Sequence, residues 1–367
     1  MLARAVAALS GSPEVALDTE GDSLHHYPER LALVQAGLAD GRVWLIDPLA
    51  IADLQPLGRI FADPAIRLVV HAGDNDLVHL KRRFGFTFAS VFDTSIAARI
   101  LGAKSLGLDV LLETMLGVAL PPSRQRDDWS VRPLAPAQVA YAAADVLHLF
   151  ALRQRLVEEL ARAGRLGWVE EECAALAAQP APERAPDPNA WLRVKGARAL
   201  LPRGLVVLRE LWEARERLAV EHDRPPFKVV GDEVLLRLIE ARPGDREALA
   251  RVPGVTPRMA ARWGDALLTA LERGHALPVE APVEPERPRR RHLPGVVSRR
   301  IEALRRWRAE ATARVGLEPG VLLPNRLITT IAEAGPRTLA ELAGLDGVRR
   351  WRVDAFGAEL LAAMARA

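Results

Sequence analysis

The stretch VALDTEGD, Val15 to Asp22, decides how this chain is read. As a strand it sends Val15, Leu17 and Thr19 to one face and Asp18 and Glu20 to the other. Two carboxylates on one half-buried face repel each other, and water neutralises them poorly. The pattern asks for a cation. A lone Asp-x-Glu at a strand end would more simply face solvent; further acids downstream, each aimed by its context toward the same point, favour the cation.

Working outward, a polar loop (SLHHYPER) leads to two apolar runs, Leu31–Ala36 and Val43–Ile46. Asp40-Gly41 between them is a hairpin signal, so the front end opens as three antiparallel strands. The pattern then alternates: helix over Ile51–Phe61, buried strand over Ile66–His71, helix over Asp74–Phe84, and helices over Thr94–Leu101 and Leu106–Leu116. Three strands followed by alternating helix and strand predict an α/β domain with a mixed sheet and helices on its faces. Pro136 suits a first helical position, and one helix is predicted from Ala137 to about Ala163. Its apolar stripe reads as Val139, Ala143, Val146 and Phe150, with Tyr141, Asp145 and His148 on the face toward a cleft.

Around Gln179–Pro188 the composition turns proline-rich, a stiff linker. Two helical blocks follow, separated by Pro278–Pro294, which contains the run RPRRRH (Arg287–His292). Each block has a long charged helix (Leu208–Val220; Ser298–Val315), a hydrophobic helix start (Asp232–Ile239; Pro324–Ile331), a Pro-containing turn, an "LARVPGV" or "LAGLDGV" element and an amphipathic helix. They read as two copies of one module. The expected domains are residues 1–177, a linker over 178–197, a helical module over 198–277, a basic linker over 278–294 and a second module over 295–367.

The 367 residues carry a formal net charge of +3, which conceals an asymmetry: residues 1–150 hold 13 Lys+Arg against 17 Asp+Glu, and residues 151–367 hold 37 against 30. An acidic front and a basic back suit metal chemistry joined to a polyanion grip. The single cysteine, Cys173, excludes an intramolecular disulfide and a cysteine zinc site, and fits a reducing cytoplasm. The Ala/Val run near the N-terminus is broken at Ser10–Pro13, and cleavage after Ala16 would cut the acidic strand, so a signal peptide is rejected. No stretch approaches the roughly 18 apolar residues of a membrane span.

Two more carboxylates complete the count. Asp76 lies in VVHAGDNDLVHL, where Asp74 or Asn75 is expected to cap the helix that carries it. Asp145 follows Tyr141 by one turn. Taken singly, these acids are a helix-start charge and a solvated helix Asp; four together, without cysteine ligands, describe an oxygen-lined site for Mg²⁺ or Mn²⁺. Two such ions about 3.5–4 Å apart can activate a water and stabilise the leaving oxygen in phosphodiester cleavage. With a phenol pKa of about 10, Tyr141 suits orienting that water better than deprotonating it.

The set DTE (Asp18–Glu20), HAGxxD (His71–Asp76) and YAAAD (Tyr141–Asp145) resembles the three motifs of the DEDD exonuclease superfamily in its tyrosine-bearing branch. More narrowly, FDTSIAARILG, DDWSVRPL and YAAADVLHL resemble the bacterial ribonuclease D family, and the back modules resemble the helicase-and-ribonuclease-D C-terminal (HRDC) fold. The resemblance covers nearly the whole chain. It implies an α/β RNase H-like exonuclease domain followed by two small all-α HRDC-type domains, releasing mononucleotides from RNA 3′ ends. It also implies Asp18, Glu20, Asp76 and Asp145 as metal ligands, with Tyr141 near the water. The chain departs from the family where Gly21-Asp22 replaces an aromatic after the Asp-x-Glu acid. It also begins close to the acidic strand.

Other residues divide. His71 and His79 read as packing and hydrogen-bonding groups, Asp93-Thr94 as a helix anchor and Trp129 as core; His148 reads equally as a cleft residue or a solvated helix His. From Arg287 to Arg314, ten Lys+Arg face two acids. In a module whose relatives bind nucleic acid, Arg289, Arg290, Arg291, Arg305, Arg306 and Arg308 are the expected phosphate contacts, sequence-blind and salt-sensitive. The expectation is a metal-dependent 3′→5′ exoribonuclease, monomeric and cytoplasmic, acting on structured RNA such as tRNA precursors. The alternatives are a DNA 3′→5′ exonuclease and a catalytically silent nucleic-acid-binding scaffold.

Overall fold

The computed structural model describes residues 2–181, 187–279 and 293–367. The acidic stretch is a central strand. β1 (Glu14–Gly21) pairs antiparallel with β2 (Leu31–Gly37), which pairs antiparallel with β3 (Val43–Ile46). On its other side β1 runs parallel to β4 (Arg67–Val70), and β4 to β5 (Val91–Asp93), giving the order β3-β2-β1-β4-β5. The β2–β3 hairpin turns at Asp40-Gly41 as expected: Gly41 takes φ +88°, and Asp40 Oδ1 accepts from Arg42 N at 3.1 Å.

One face of the sheet buries Val15, Leu17, Val34, Leu68 and Val70 against α1 (Leu2–Ser10), α2 (Gln55–Phe61) and α3 (Asp74–Phe84). Helix α1, from the Ala/Val run, was not foreseen; it contributes Leu9 to that core. After β5 come α4 (Thr94–Leu101) and α5 (Leu108–Leu116). The sheet's other face is covered by α6 (Pro136–Leu147), whose Val146 packs with Ala16 and Val69. Gly37 allows the close approach there, since a Cβ would stand 3.2 Å from Val146 Cγ2 and Val146 would have to shift.

Two expectations for this region are corrected. The long helix breaks at His148, and α7 (Leu149–Arg162) begins anew. The break leaves Leu149 on the sheet while Leu152, Leu156 and Leu160 join α4 and α5 in a different core. The buried stripe is also rotated: it runs through Gln138, Tyr141, Ala142 and Val146, while Val139 is exposed. Apolar residues on both sides of this helix made the stripe ambiguous; the sheet selects the side that also carries Tyr141.

Helix α8 (Leu166–Ala178), likewise unforeseen, closes the α/β portion. The repeat read in the back half is present helix by helix. The first module has α9 (Pro202–Glu221), α10 (Pro226–Val229), α11 (Asp232–Ala241), α12 (Arg246–Ala250) and α13 (Pro257–Ala276). The second has α14 (Gly295–Val315), α15 (Pro319–Leu322), α16 (Asn325–Ala334), α17 (Leu339–Ala343) and α18 (Arg350–Ala365). Part of the stretch expected as linker packs: Trp191, Val194 and Ala197 lie in the first module's core.

The two modules attach differently. The first has its own core, touched from the α/β domain by Tyr27. The second shares one continuous core with α4, α5, α7 and α8. There Trp168 stacks on Trp351 with ring centroids 4.4 Å apart, and Glu172 accepts from Trp351 Nε1 at 3.0 Å and Arg352 Nη1 at 2.8 Å.

Candidate active site

Asp18 and Glu20 leave β1 on the face covered by α6, and Asp145 comes down from that helix. Carboxylate oxygens of the three lie within 4.8 Å of one another. Asp76 joins from α3: the Thr19 hydroxyl, between the two β1 acids, donates to Asp76 Oδ1. Helix α3 starts at Asp74, with Gly73 as its cap residue and no side-chain cap, so the expected capping by Asp74 or Asn75 is corrected. The turn is held instead by Asp93. Its carboxylate accepts from Ala72 N at 3.1 Å and Gly73 N at 2.9 Å, and also from Ser95 N at 2.8 Å at the start of α4. One buried Asp thus anchors two helix starts and fixes where Asp76 sits.

The electrostatics are those of a buried anion cluster, with the charge of His79 acting against the shift only at Asp76 among the groups described. Burial, then repulsion from Asp76, Asp145 and Glu20, raises Asp18 well above the usual carboxylate range; what opposes this is the neutral backbone N–H of Thr19. Burial and the charges of Asp145, Asp76 and Asp127 push Glu20 up to about 8. Burial raises Asp145 to about 7, against a hydrogen bond from Tyr141, and Asp76 to about 6, against the bond from Thr19. Such a cluster is stabilised by protons or by a hard divalent cation, and its all-oxygen donor set suits the latter.

Tyr141 is buried against Trp129, their ring centroids 6.1 Å apart, which fits the core reading of Trp129. Its hydroxyl lies beside Ser123 and Asp145, and burial followed by the charges of Asp145 and Glu20 raises its pKa, so it remains a phenol. Ser123 and Asp127 were not foreseen at the site. Both lie in or next to the quoted DDWSVRPL segment, whose proximity to the acids no local pattern reveals. His71 Nδ1 bonds Thr94 Oγ1 at 2.8 Å, in keeping with its packing role. His148 falls at the α6–α7 junction, half-buried.

Asp22, second after Glu20 in the Gly21-Asp22 pair that departs from the family pattern, is fully buried and accepts from Arg30 N at 2.7 Å and Arg30 Nε at 2.9 Å. It closes the loop that follows the acidic strand β1. From that loop Tyr27 donates to Glu216 Oε2 at 2.6 Å and His26 Nδ1 meets Asp223 Oδ2 at 2.7 Å, both acids in the first module.

The expected basic grip is only partly visible. Arg289, Arg290 and Arg291 lie outside the described residues. Arg305 and Arg306 are exposed on α14, opposite Ile301, Leu304 and Trp307. Arg308 is engaged within its own module, donating to Leu323 O at 2.8 Å and Asn325 Oδ1 at 2.9 Å.

An RNase H-like sheet with DEDD-type acids and a buried tyrosine on α6 defines a 3′-5′ exonuclease, followed here by two helical modules. Comparison with known proteins agrees: the 3′-5′ exonuclease family matches residues 1–161 and the HRDC domain matches residues 204–271 and 298–364. Ribonuclease D of Acidiphilium cryptum is 34% identical over 96% of this chain and 88% of its own length. Ribonuclease D of Escherichia coli is 35% identical over 77% of this chain and 75% of its own. The crystal structure of E. coli RNase D, described as an exoribonuclease involved in structured RNA processing, superposes with TM-score 0.68 at 27% identity over 100% of this chain and 96% of that one. The chain belongs to the ribonuclease D family of 3′-5′ exoribonucleases.

Proposed function

We propose that this chain is a divalent-cation-dependent exoribonuclease that trims structured RNA, tRNA precursors among them, one nucleotide at a time from the 3′ end. In this reading it works as a cytoplasmic monomer, with the nuclease in residues 1–177 and the helical modules in 198–277 and 295–367. The observation that carries it is the convergence of the Asp18, Glu20 and Asp145 carboxylates, with Asp76 tied in through Thr19. These four acids would hold two Mg²⁺ or Mn²⁺ ions. When bound, the ions supply positive charge that acidifies a water and offsets charge on the leaving 3′ oxygen.

The chain's own residues do the rest. Tyr141, kept protonated by burial and aimed by Ser123 and Asp145, orients the attacking water without removing its proton. Asp93 and Thr19 hold Asp76 to the cluster. The first module, docked on the loop that follows Glu20, sits where the body of a folded RNA would pass; Arg305 and Arg306 on the second offer sequence-blind phosphate contacts.

The test is digestion of end-labelled RNA and a matched DNA oligomer, with Mg²⁺, with Mn²⁺ and with chelator. Stepwise shortening of the RNA from its 3′ end only with the ion present is expected. RNA left intact with Mn²⁺ supplied, or DNA shortened faster than RNA, contradicts the reading.

A further inference from the structure

Gln35 sits in the middle of β2, directly opposite Asp18 in the antiparallel pair. Residues so paired send their side chains to the same face of the sheet, with Cβ atoms about 4.5–5.5 Å apart. Gln35 is fully buried, and neither its Nε2 nor its Oε1 has a hydrogen-bond partner among the described residues. A buried amide without partners costs about 1–3 kcal/mol, so it calls for an explanation. An aliphatic side chain of similar size would fill the same space without that cost.

The surroundings narrow what the amide is for. On the same face of β2, Leu33 clusters with Tyr141 and Ala142, and Gly37 lies against Val146. Gln35 falls between these two contacts, beneath the turn of α6 that carries Asp145. On its far side β3 sets the apolar Leu45 opposite. This placement puts Gln35 on the same face of the sheet as Asp18, under the helix that carries Asp145. A neutral donor is the suitable partner for these carboxylates: it orients an ionised carboxylate without cancelling the negative charge that attracts a cation, as an Arg or Lys there would.

We propose that Gln35 is a positioning residue for the carboxylate cluster: its Nε2 donates to Asp18 when the cluster is loaded with a divalent cation, and holds that carboxylate in its ligating orientation. The inference rests on the reading of the cluster as a cation site. It accounts for a buried amide without a partner among the described residues and for its place opposite Asp18 rather than elsewhere on β2.

The experiment uses the full chain carrying Gln35→Met or Gln35→Leu, two variants of similar volume so that a folding failure in one leaves the other. Mn²⁺ is titrated into metal-free protein without RNA, by calorimetry and by the electron paramagnetic resonance signal of free Mn²⁺. The Mn²⁺ Kd should rise about tenfold or more, while the melting temperature in chelator stays level or rises. Cleavage at low Mn²⁺ should fall and recover at saturating Mn²⁺, with KM for RNA unchanged. Parental Mn²⁺ affinity in the variants overturns the proposal. So does a weakened affinity matched by a lower melting temperature in chelator, the mark of a packing role alone. Asp18→Asn, titrated alongside, separates the two levels. If it also binds Mn²⁺ at parental affinity, the cation-site reading fails; if it loses Mn²⁺ while the Gln35 variants keep it, the Gln35 assignment alone fails.

Discussion

The hydroxyl of Tyr27, seven residues beyond Glu20, donates to Glu216 Oε2 at 2.6 Å, and its ring packs against the core of the first helical module. The loop leaving the acidic strand β1 is thus also the docking point of that module. Burial and the Glu216 carboxylate raise the Tyr27 phenol to about 12, so the bond persists across the working pH range. Asp223 adds two further bonds, accepting from Tyr27 N at 3.0 Å and pairing with His26 Nδ1 at 2.7 Å.

Tyr27→Ala should therefore loosen the first module while leaving the carboxylates in place. Trimming of short single-stranded oligomers should stay within about twofold, and trimming of folded RNA should slow about tenfold, since only folded substrates need the module held in position. Kinetics on the two substrate lengths check this, and limited proteolysis near the 178–197 segment should quicken.

Asp18→Asn and Asp145→Asn remove a ligand charge with little change of shape. Cleavage should fall by at least about 10³-fold in each, the order expected when charge stabilisation of a transition state is lost, with RNA affinity by gel shift unchanged. In the absence of cation, both variants should melt no lower than the parent, because each relieves repulsion in a buried anion cluster.

Tyr141→Phe deletes only the hydroxyl that lies beside Ser123 and Asp145. A fall in kcat of about 10–100-fold is expected from a less well-oriented water, with Mn²⁺ affinity preserved. The same kcat as the parent removes Tyr141 from the mechanism.

Glu172 gives the interface between nuclease and second module a pH dependence. Arg352, Trp351 and Arg349 lower its pKa below 4.5, outweighing the opposing effect of burial. A carboxylate depressed on folding contributes stability that is fully present above its unfolded value near 4.5 and is lost as pH falls through the folded value. Melting temperature should accordingly drop below about pH 4.5, and Glu172→Gln should flatten that drop while costing about 2–3 kcal/mol near neutrality.

The sequence by itself determined the element types that local chemistry controls. Asp40-Gly41 could only turn, the Asp18–Glu20 strand could not place both acids in oil without a reason, and two blocks of matching helices announced a repeat. It also selected four acids and a tyrosine, because each motif carries its own spacing. Only the tertiary structure decided which face of α6 meets the sheet, since apolar residues lie on both. The same holds for Asp93 fixing the turn before Asp76, for Ser123 and Asp127 reaching the site, and for Gln35 lying opposite Asp18. These depend on strand register and chain crossings between residues tens of positions apart, where periodicity carries no information. The same distance dependence hid the fused core of the second module, whose Trp351 reads as an ordinary helix residue until Trp168 and Glu172 are brought beneath it.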